Sequence, residues 1–372
     1  MGFKIHSSAI SSGDNYSTRI SEELGCIQAD DVCGVVLCGI SDNSEYHEML
    51  HNLKVVIYKS LGRQVPVTLI PQYLLPMGGL SLEVYTLDGT SEIHIHEQNG
   101  VCYGIMHSDK ESLLFVEGIP ASDFTESICH QSREVFGKLN EILSVNGFGV
   151  DDMVRQWNYI GNIVSHRGGK QNYQEFNDAR TNFYKSGKWH NGYPAATGIG
   201  TAGEGIIVGG IAFKMAGESD GGIYPIDNPL QVAAHVYSKQ VLIDDDTEAM
   251  KSTPKFERAK LIESKCGVCC FVSGTAAIRG EESMEFSSAR QQTIMTIENI
   301  EHLVSADNLA KHGCPPYNLR YIQLQVFIKN EEDYDEVKRV VEERFPQVSA
   351  IYTIADVCRK ELLVEIESIL TI

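Results

Sequence analysis

The sequence is short of basic charge and of long hydrophobic runs. Its 372 residues carry 31 Lys and Arg against 50 Asp and Glu, which gives a formal net charge of −19. No block of Lys or Arg occurs, and an acidic surface repels a phosphate backbone. The longest apolar runs, such as 35–40 and 268–272, are far shorter than the roughly 20 residues that cross a bilayer. We therefore expect neither a nucleic acid nor a membrane as a partner.

The beginning of the chain lacks a recognisable export signal. Residues 1–16 contain one lysine followed by polar residues, where a leader would have a basic segment and then an apolar one. The ten cysteines mostly stand in apolar or strand-like contexts, where thiols act as small hydrophobic groups in a reducing compartment. These features predict a cytoplasmic protein without a disulfide framework.

Several familiar site motifs are absent or incomplete. The sequence has no P-loop and no nucleophile elbow. The glycines of 198–203 have dinucleotide-binding spacing, but an apolar strand follows them instead of a helix, which favours a hairpin or pocket-lining turn. The pair Cys266 and Cys269 has no second pair, so core thiols are favoured over a metal or redox site. His94 and His96 share one face of a strand and are interpreted as solvated histidines.

An internal repeat is the main feature that is present. The run LLFVEGIPA at 113–121 and the run CCFVSGTAA at 269–277 are both β-rich and lie 156 positions apart. IIVGGIAF at 206–213 and LLVEIESI at 362–369 are separated by the same 156 positions. Equal offsets at both ends indicate two units of equal length.

The two copies predict the same elements in the same order. Between the repeated strands, each copy has the periodicity of a long helix, a strand and a short helix. In copy one these elements span 128–142, 153–160 and 174–184, and in copy two 294–304, 319–328 and 333–345. The order predicts an α+β fold in which helices pack on one face of a mixed sheet.

The repeat sets the predicted domain boundaries. The first half is 1–214, made of a strand-rich part (1–111) and repeat one (112–214), and the second half is 215–372. Within the second half, residues 215–255 are rich in Gly, Pro and Asp and are predicted to be a linker before repeat two (256–372). We expect the strand-rich part to complete the sheet of the first half through its strand-like pieces 34–40, 67–70, 82–87, 93–96 and 101–106.

Two groups of polar residues are candidates for chemistry. Tyr173, Arg180 and Tyr184 share one face of the predicted helix, as either a functional face or a surface with an ion-paired arginine. Glu365 alternates with apolar residues in a strand that should be buried, where a carboxylate has partners or a raised pKa. Its counterpart in copy one is Gly209. The acid therefore indicates one specialised site.

The motifs of copy two resemble a known superfamily. FVSG at 271–274, QQTIMTIEN at 291–299 and LVEIE at 363–367 resemble the YjgF/RidA superfamily, whose fold is like that of a small chorismate mutase. That resemblance implies a tandem pair of YjgF/RidA-like units and a homo-oligomer, with a trimer favoured.

The whole duplicated chain is similar to the chorismatase family, the FkbO-like chorismate-hydrolysing enzymes. The similarity covers roughly residues 110–372. Its motifs are YxxFNxAR at 173–180, YPAATGIG at 193–200, PLQ at 229–231, PKFER at 254–258, VSGTA at 272–276 and ADVCRKELLVEIE at 355–367.

The resemblance implies a substrate and roles for particular residues. Chorismate carries two carboxylates and a pyruvyl enol ether, and a guanidinium group binds a carboxylate bidentately. Arg180 and Arg258 are implied to bind the carboxylates, with Tyr173 and Tyr237 as phenol donors beside them. Glu365 is implied to be the catalytic acid that protonates the enol ether, so that pyruvate leaves without a metal or an organic cofactor.

Two further positions bear on the product. Cys358 and Gly274 stand where the subgroup that makes 3-hydroxybenzoate has cysteine and glycine, whereas the subgroup that makes a dihydroxycyclohexadiene carboxylate usually has alanine at both. The resemblance therefore favours 3-hydroxybenzoate. Cys358 precedes Glu365 by seven residues, so both line one pocket only if the chain bends between them.

Two other classes of function stay open at this point. A RidA-like imine deaminase would need the superfamily's carboxylate-binding arginine fifteen residues before Glu365, where this sequence has Ala350. A non-catalytic protein that binds a small ligand is the other alternative, because one fold hosts many activities.

Overall fold

The computed structural model describes residues 3–39, 45–76, 78–87, 92–167, 169–215, 221–238, 252–264, 267–284 and 288–372. The strands of this part of the chain form three large sheets of four, six and seven strands and two small hairpins. Helices pack against the large sheets, so the α+β class is confirmed. No helix within these ranges is both long and apolar enough to cross a membrane.

The first sheet belongs to the N-terminal residues. Its elements are β1 (Phe3–Ile10), α1 (Tyr16–Leu24), β2 (Val32–Gly39), α2 (Tyr46–Leu61), β3 (Val67–Ile70), β4 (Tyr73–Leu74) and β5 (Leu80–Leu87). The strand order is β1-β5-β2-β3, with β2 and β3 parallel and the other pairs antiparallel. The short strand β4 instead pairs with a strand near the C-terminus.

Repeat one forms the second sheet. Its elements are β6 (His94–Gln98), β7 (Val101–His107), β8 (Glu111–Pro120), α3 (Ile128–Val145), β9 (Met153–Gly161), β10 (His166–Arg167), β11 (Lys170–Gln171), α4 (Asn172–Phe183), β12 (Ala195–Thr201) and β13 (Ile206–Met215). The order is β12-β9-β13-β8-β7-β6. The Ser127 side chain accepts a hydrogen bond from the His130 N–H and caps α3, whose apolar face packs on the sheet.

Repeat two forms the third sheet. Its elements are β14 (Gly222–Ile226), β15 (Ala259–Ser264), β16 (Gly267–Ala276), β17 (Ile278–Arg279), β18 (Glu282–Ser283), α5 (Ala289–Leu303), α6 (Ala306–Lys311), β19 (Arg320–Ile328), α7 (Tyr334–Arg344), β20 (Ala350–Ile354) and β21 (Val364–Thr371). The order is β14-β15-β16-β21-β19-β20-β4. The predicted duplication is visible in the orders β8-β13-β9-β12 and β16-β21-β19-β20.

The N-terminal sheet differs from the expectation for residues 1–111. β6 and β7 complete the sheet of repeat one as expected, but β1, β2, β3 and β5 form a sheet of their own. That sheet repeats the strand order of the other two, and its helices follow the first and second strands in the same way. The chain therefore contains three units of one topology, of which sequence similarity revealed two.

The positions of two strands, β12 and β14, correct two further expectations. Residues 195–201 are β12, which runs parallel to β9, so the glycines of 198–203 begin in a strand and not in a turn. Part of the predicted linker 215–255 is β14, the edge strand of the third sheet. Residues 239–251 of that linker lie outside the described residues, as does Cys266, whereas Cys269 is buried in β16.

The units meet through matched hydrogen bonds between their strands. Thr197 on β12 accepts, through Oγ1, the N–H of Gly274 on β16 at 3.0 Å. Thr68 on β3 accepts the N–H of Gly118 on β8 at 2.7 Å in the same way. Because Gly118 and Gly274 are 156 positions apart, each repeat presents the same glycine to a neighbouring unit.

Candidate active site

A cleft opens where repeat one meets repeat two. α4 and β12 line it from repeat one, and β16, β21 and the loop 355–363 line it from repeat two. Its empty volume is about 900 Å³, including the mouth that is open to solvent. All seven residues predicted for the site line this cleft: Tyr173, Arg180, Tyr237, Arg258, Gly274, Cys358 and Glu365.

Glu365 is the acid of the cleft. It lies on β21 between Phe327 and Ala276 of the neighbouring strands, and only 5% of its surface is exposed. Its pKa is raised to about 8: burial is the largest cause, Glu367 acts in the same direction, and Arg258 and Arg155 act in the opposite direction. The carboxyl group therefore holds a proton at neutral pH and can donate it to a bound molecule.

The neighbouring carboxylate Glu367 has a different role, because both of its oxygens are occupied. Its Oε2 lies 2.5 Å from Nη2 of Arg155, and its Oε1 accepts a hydrogen bond of 3.0 Å from Nε1 of Trp157. Nη2 of Arg155 also donates to Oγ1 of Thr197 at 2.8 Å. This buried ion pair ties repeat two to repeat one behind the cleft, whereas we find no hydrogen bond to the Glu365 carboxyl group among the described residues.

Arg180 supplies cationic donors from helix α4. This helix has few apolar residues, and its buried side chains are mostly polar, because it faces the cleft. Arg180 is 1% exposed, and its Nη2 donates to Oδ1 of Asn177 at 2.6 Å. Nε of Arg180 has no partner, and no carboxylate within the described ranges pairs with this guanidinium. The alternative from the sequence, a surface helix with an ion-paired arginine, is therefore wrong for the described residues.

Arg258 lies on the repeat-two side and contacts Tyr237, as expected. Its Nη2 donates to the Val232 carbonyl at 2.8 Å and to the Tyr237 hydroxyl at 2.6 Å. Its guanidinium also stands over the rings of Tyr237 and Phe256, at 5.8 and 5.4 Å from their centres. Only 3% of the residue is exposed, and Nε has no partner. The group is held rigidly and keeps donor capacity for an anion.

Arg359 is a third cleft arginine, which sequence reasoning missed. Its Nη1 donates to the Glu281 carbonyl at 3.1 Å and to Oγ of Ser283 at 2.9 Å, and its guanidinium lies 5.6 Å from the ring centre of Tyr237. The signal was its place directly after Cys358 in a recognised motif. Three guanidinium groups around one protonated carboxyl group make the cleft positive, which suits a dianion.

Tyr173 and Cys358 complete the walls near the acid. The Tyr173 ring packs on Gly198, where an added Cβ would lie 3.1 Å from ring atom Cε2. Burial raises the pKa of the Tyr173 hydroxyl, which therefore stays a proton donor. Burial and the charge of Glu365 raise the pKa of the Cys358 thiol to about 12, so it stays neutral. The irregular loop 355–363 supplies the bend that brings Cys358 to the same cleft as Glu365.

One residue singled out with this face is not part of the cleft. Tyr184 follows the end of α4 in a short 3-10 turn, and its hydroxyl donates to Oε1 of Gln156 in the interior. Its ring packs against Trp189 and Tyr193, so Tyr184 is not among the residues that line the cleft, although Arg180 is close enough to act on its hydroxyl.

The described residues offer no metal centre. Within the described ranges, no group of three or more His, Cys, Asp or Glu side chains is arranged to hold a metal ion. His94 and His96 are exposed on β6, at a distance from the cleft along the sheet of repeat one.

Comparison with known proteins identifies the family. Residues 84–212 match the family model described as chorismatase FkbO/Hyg5-like, N-terminal. A 3-hydroxybenzoate synthase of Streptomyces hygroscopicus is 32% identical over 298 residues, which cover 77% of this chain and 80% of that protein. The chain belongs to the chorismatase family. A second chorismatase from the same organism is 30% identical over 221 residues, covering 58% of this chain and 60% of that protein.

A solved chorismatase has the same fold. Its crystal structure matches this one with a TM-score of 0.70 at 20% identity, over 100% of this chain and 99% of that chain. The chorismatase family expected from the motifs is thus confirmed. The family model begins at residue 84, upstream of the motifs that first suggested it.

Proposed function

We propose that this chain cleaves the enol ether of chorismate and releases pyruvate and 3-hydroxybenzoate without a metal or an organic cofactor. The observation that carries the proposal is the buried Glu365 carboxyl group, with a pKa raised to about 8, in a cleft that holds three arginines. This combination can bind a dianion and protonate it in the same place.

The binding step uses the arginines on opposite walls. Arg180 on repeat one has an unpartnered Nε, and so does Arg258 on repeat two. A dicarboxylate that bridges the cleft would bind one carboxylate to each, with Tyr173 and Tyr237 beside them. Arg359 adds positive charge near Tyr237. Charge-assisted hydrogen bonds of this kind are about twice as strong as neutral ones.

The chemical step begins with a proton from Glu365. The proton goes to the terminal methylene carbon of the enol ether, which becomes a methyl group, and the pyruvyl carbon becomes electrophilic. In the route to 3-hydroxybenzoate, the neighbouring ring hydroxyl loses its proton and its oxygen bonds to the ring carbon that carries the ether, while the bond from that carbon to the ether oxygen breaks and pyruvate leaves. The resulting epoxide opens with migration of one ring hydrogen and loss of a proton, which gives the aromatic phenol. In the route to the diol, water adds to the pyruvyl carbon, and the bond between that carbon and the ether oxygen then breaks to release pyruvate. Together, 3-hydroxybenzoate and pyruvate are isomeric with chorismate, whereas the non-aromatic diol requires one added water.

Product choice is proposed to depend on Cys358 and Gly274. Both face the cleft beside Glu365. A neutral thiol at 358 leaves a weak proton donor and acceptor next to the ring, which a methyl group cannot replace. One relative of this chain is a protein named 3-hydroxybenzoate synthase, which supports the aromatic product.

The test is incubation with chorismate in deuterium oxide. The proposal predicts pyruvate with one deuterium in its methyl group and an equal amount of 3-hydroxybenzoate, with Glu365→Gln as the matched inactive control. Equal rates for both proteins would contradict the assignment of the acid. Unchanged chorismate that still binds would instead support the alternative of a small-ligand-binding protein.

Compartment and assembly are part of the same proposal. The nine described cysteines are free thiols, which supports a cytoplasmic location. The trimer expected from the superfamily resemblance stays a prediction, and the three units within one chain offer a monomer as the competing outcome. Sedimentation of the purified protein distinguishes a mass of 41.2 kDa from three times that mass.

A further inference from the structure

Gly274 lies in an irregular part of the sheet next to the acid. β16 pairs with β21 from Cys269 to Val272 and again from Thr275, with a register shift between these two segments. The shift leaves Ser273 and Gly274 in a β-bulge, a feature that commonly redirects side chains near active sites. The residue opposite Ala276, just beyond the bulge, is Glu365.

The backbone of this bulge is held in place by both repeats. The Gly274 N–H donates to Oγ1 of Thr197, and the Ser273 N–H donates to the Arg258 carbonyl at 3.0 Å. The Ser273 hydroxyl donates to the Glu257 carbonyl at 2.6 Å and accepts the Ala196 N–H at 2.8 Å. Moving the backbone would break buried hydrogen bonds, which is costly.

A side chain at 274 has no room while the acid stays where it is. An ideal Cβ on Gly274 would overlap Oε1 of Glu365 and lie 2.8 Å from its Cδ, with Cγ2 of Thr197 at 3.1 Å. Such contacts are repulsive, and an overfilled site relaxes through its most mobile group. Since the bulge is fixed, that group is the end of the Glu365 side chain.

We propose that Gly274 is a positioning residue for Glu365: the absence of a side chain lets the carboxyl group rest against the bulge, and a methyl group there acts by displacing the acid. This role is additional to the part that Gly274 is proposed to have in product choice. Any effect of this displacement on the products rests on the proposed function, but the displacement of the carboxyl group is expected in the protein without substrate.

Repeat one shows the same bulge without an acid. Gly118 is the counterpart of Gly274, and a Cβ there would meet Cγ2 of Thr68 at 2.6 Å and Cγ2 of Ile207 at 2.9 Å. The sequence offset predicts Gly209 as the counterpart of Glu365, but the strand register corrects this to Ile207, which lies opposite Pro120 as Glu365 lies opposite Ala276. The glycine of the bulge thus faces an isoleucine and a threonine methyl group in repeat one, whereas in repeat two it faces a threonine methyl group and the carboxyl group of Glu365.

Displacement changes the surroundings of the carboxyl group in a predictable direction. The charged and titratable groups that face it are Glu367 on the same strand, Arg155 on β9, Arg258 before β15, Tyr173 on α4 and Cys358 on the loop 355–363. A carboxyl group pushed off the bulge moves into the cleft, where hydration is easier. Its pKa should therefore fall, because burial is the main cause of its present value.

The experiment is an infrared titration of the protein without substrate. The carbonyl stretch of the protonated Glu365 carboxyl group is assigned by its loss in Glu365→Gln. In Gly274→Ala we expect this band to shift and its midpoint to fall by about one pKa unit, a size common for changes of local environment. If the midpoint and the band are unchanged, the acid has not moved and the proposal is overturned.

Gly198→Ala is the matched control. It adds a methyl group to the same cleft against the Tyr173 ring, with no atom of Glu365 among its nearest neighbours. We expect it to leave the Glu365 band and midpoint unchanged. If both alanine variants shift the band equally, then general crowding of the cleft explains the effect and the positioning role is wrong.

A stability cycle covers the case in which Gly274→Ala folds poorly. The fall in melting temperature caused by Gly274→Ala is measured with Glu365 present and again in a Glu365→Ala background. We expect the second fall to be less than half of the first, because the clashing carboxyl group is gone. Equal falls would mean that Thr197 or the backbone is the obstacle, which contradicts the proposal. Neither readout uses chorismate, so failure of the proposed reaction would be recognised separately.

Discussion

Replacing Glu365 by glutamine should abolish the acid while keeping the shape of the site. The amide is nearly isosteric with the carboxylic acid and can still donate a hydrogen bond, but it has no proton to transfer. Lost general acid catalysis typically lowers turnover by roughly 10² to 10⁴. Because the arginines and tyrosines are untouched, KM for chorismate should change little while kcat falls.

The same substitution should change how stability depends on pH. The carboxyl group has a pKa near 4.5 when unperturbed and about 8 in the fold, where it is 5% exposed. Between these values the folded state binds more protons than the unfolded state, so the contribution of Glu365 to stability falls as pH rises from about 4.5 to about 8. The total is on the order of 5 kcal/mol at 1.36 kcal/mol for each pKa unit.

Two measurements test this reasoning together. Pyruvate release should be followed from pH 5 to 9, where the parent enzyme is expected to lose kcat/KM as pH rises through about 8. Urea unfolding at pH 5 and pH 9 should show Glu365→Gln equal to the parent at the lower pH and more stable by a few kcal/mol at the higher pH. Turnover within threefold of the parent, or a variant with no gain in stability at pH 9, would refute the assignment of Glu365 as a buried acid.

Three further predictions concern the groups around the acid. Arg180→Ala or Arg258→Ala should weaken chorismate binding by roughly 1.5 to 3 kcal/mol, and calorimetry that shows parent-like binding in both would mean that neither guanidinium holds a carboxylate. Cys358→Ala should shift the product from 3-hydroxybenzoate toward the non-aromatic diol while pyruvate release continues, and chromatography that shows only the aromatic acid would contradict this. Glu367→Ala should lower the free energy of unfolding by about 3 to 5 kcal/mol, since it leaves Arg155 buried without its counter-charge; parent-like stability in denaturant would show that water replaces the pair.

The sequence alone determined the class of fold and the family. Two signals can be seen in the sequence itself: the repeat at 156 positions and the helical periodicity of 128–142 and 294–304. Within each strand or helix of the repeats, the spacing of the apolar residues indicates which face is buried. The same holds for Glu365, because an acid within an apolar strand is visible without coordinates. Motifs that a family shares, such as YxxFNxAR at 173–180, then identified the residues of the cleft.

The tertiary structure decided what depends on chain segments that meet across the units. The third unit, at residues 3–87, was not predicted because it shares the strand order of the repeats but not their motifs. The periodicity of apolar residues predicts single strands and helices, but it does not predict the order of strands in a sheet. Arg359 stands next to Cys358 in a recognised motif, but its contacts in the cleft depend on how the loop 355–363 is placed, since its partners Glu281 and Ser283 lie 78 and 76 positions away in sequence. The close approach of Gly274 to the Glu365 carboxyl group likewise required coordinates, because it depends on a bulge that backbone hydrogen bonds from both repeats hold in place.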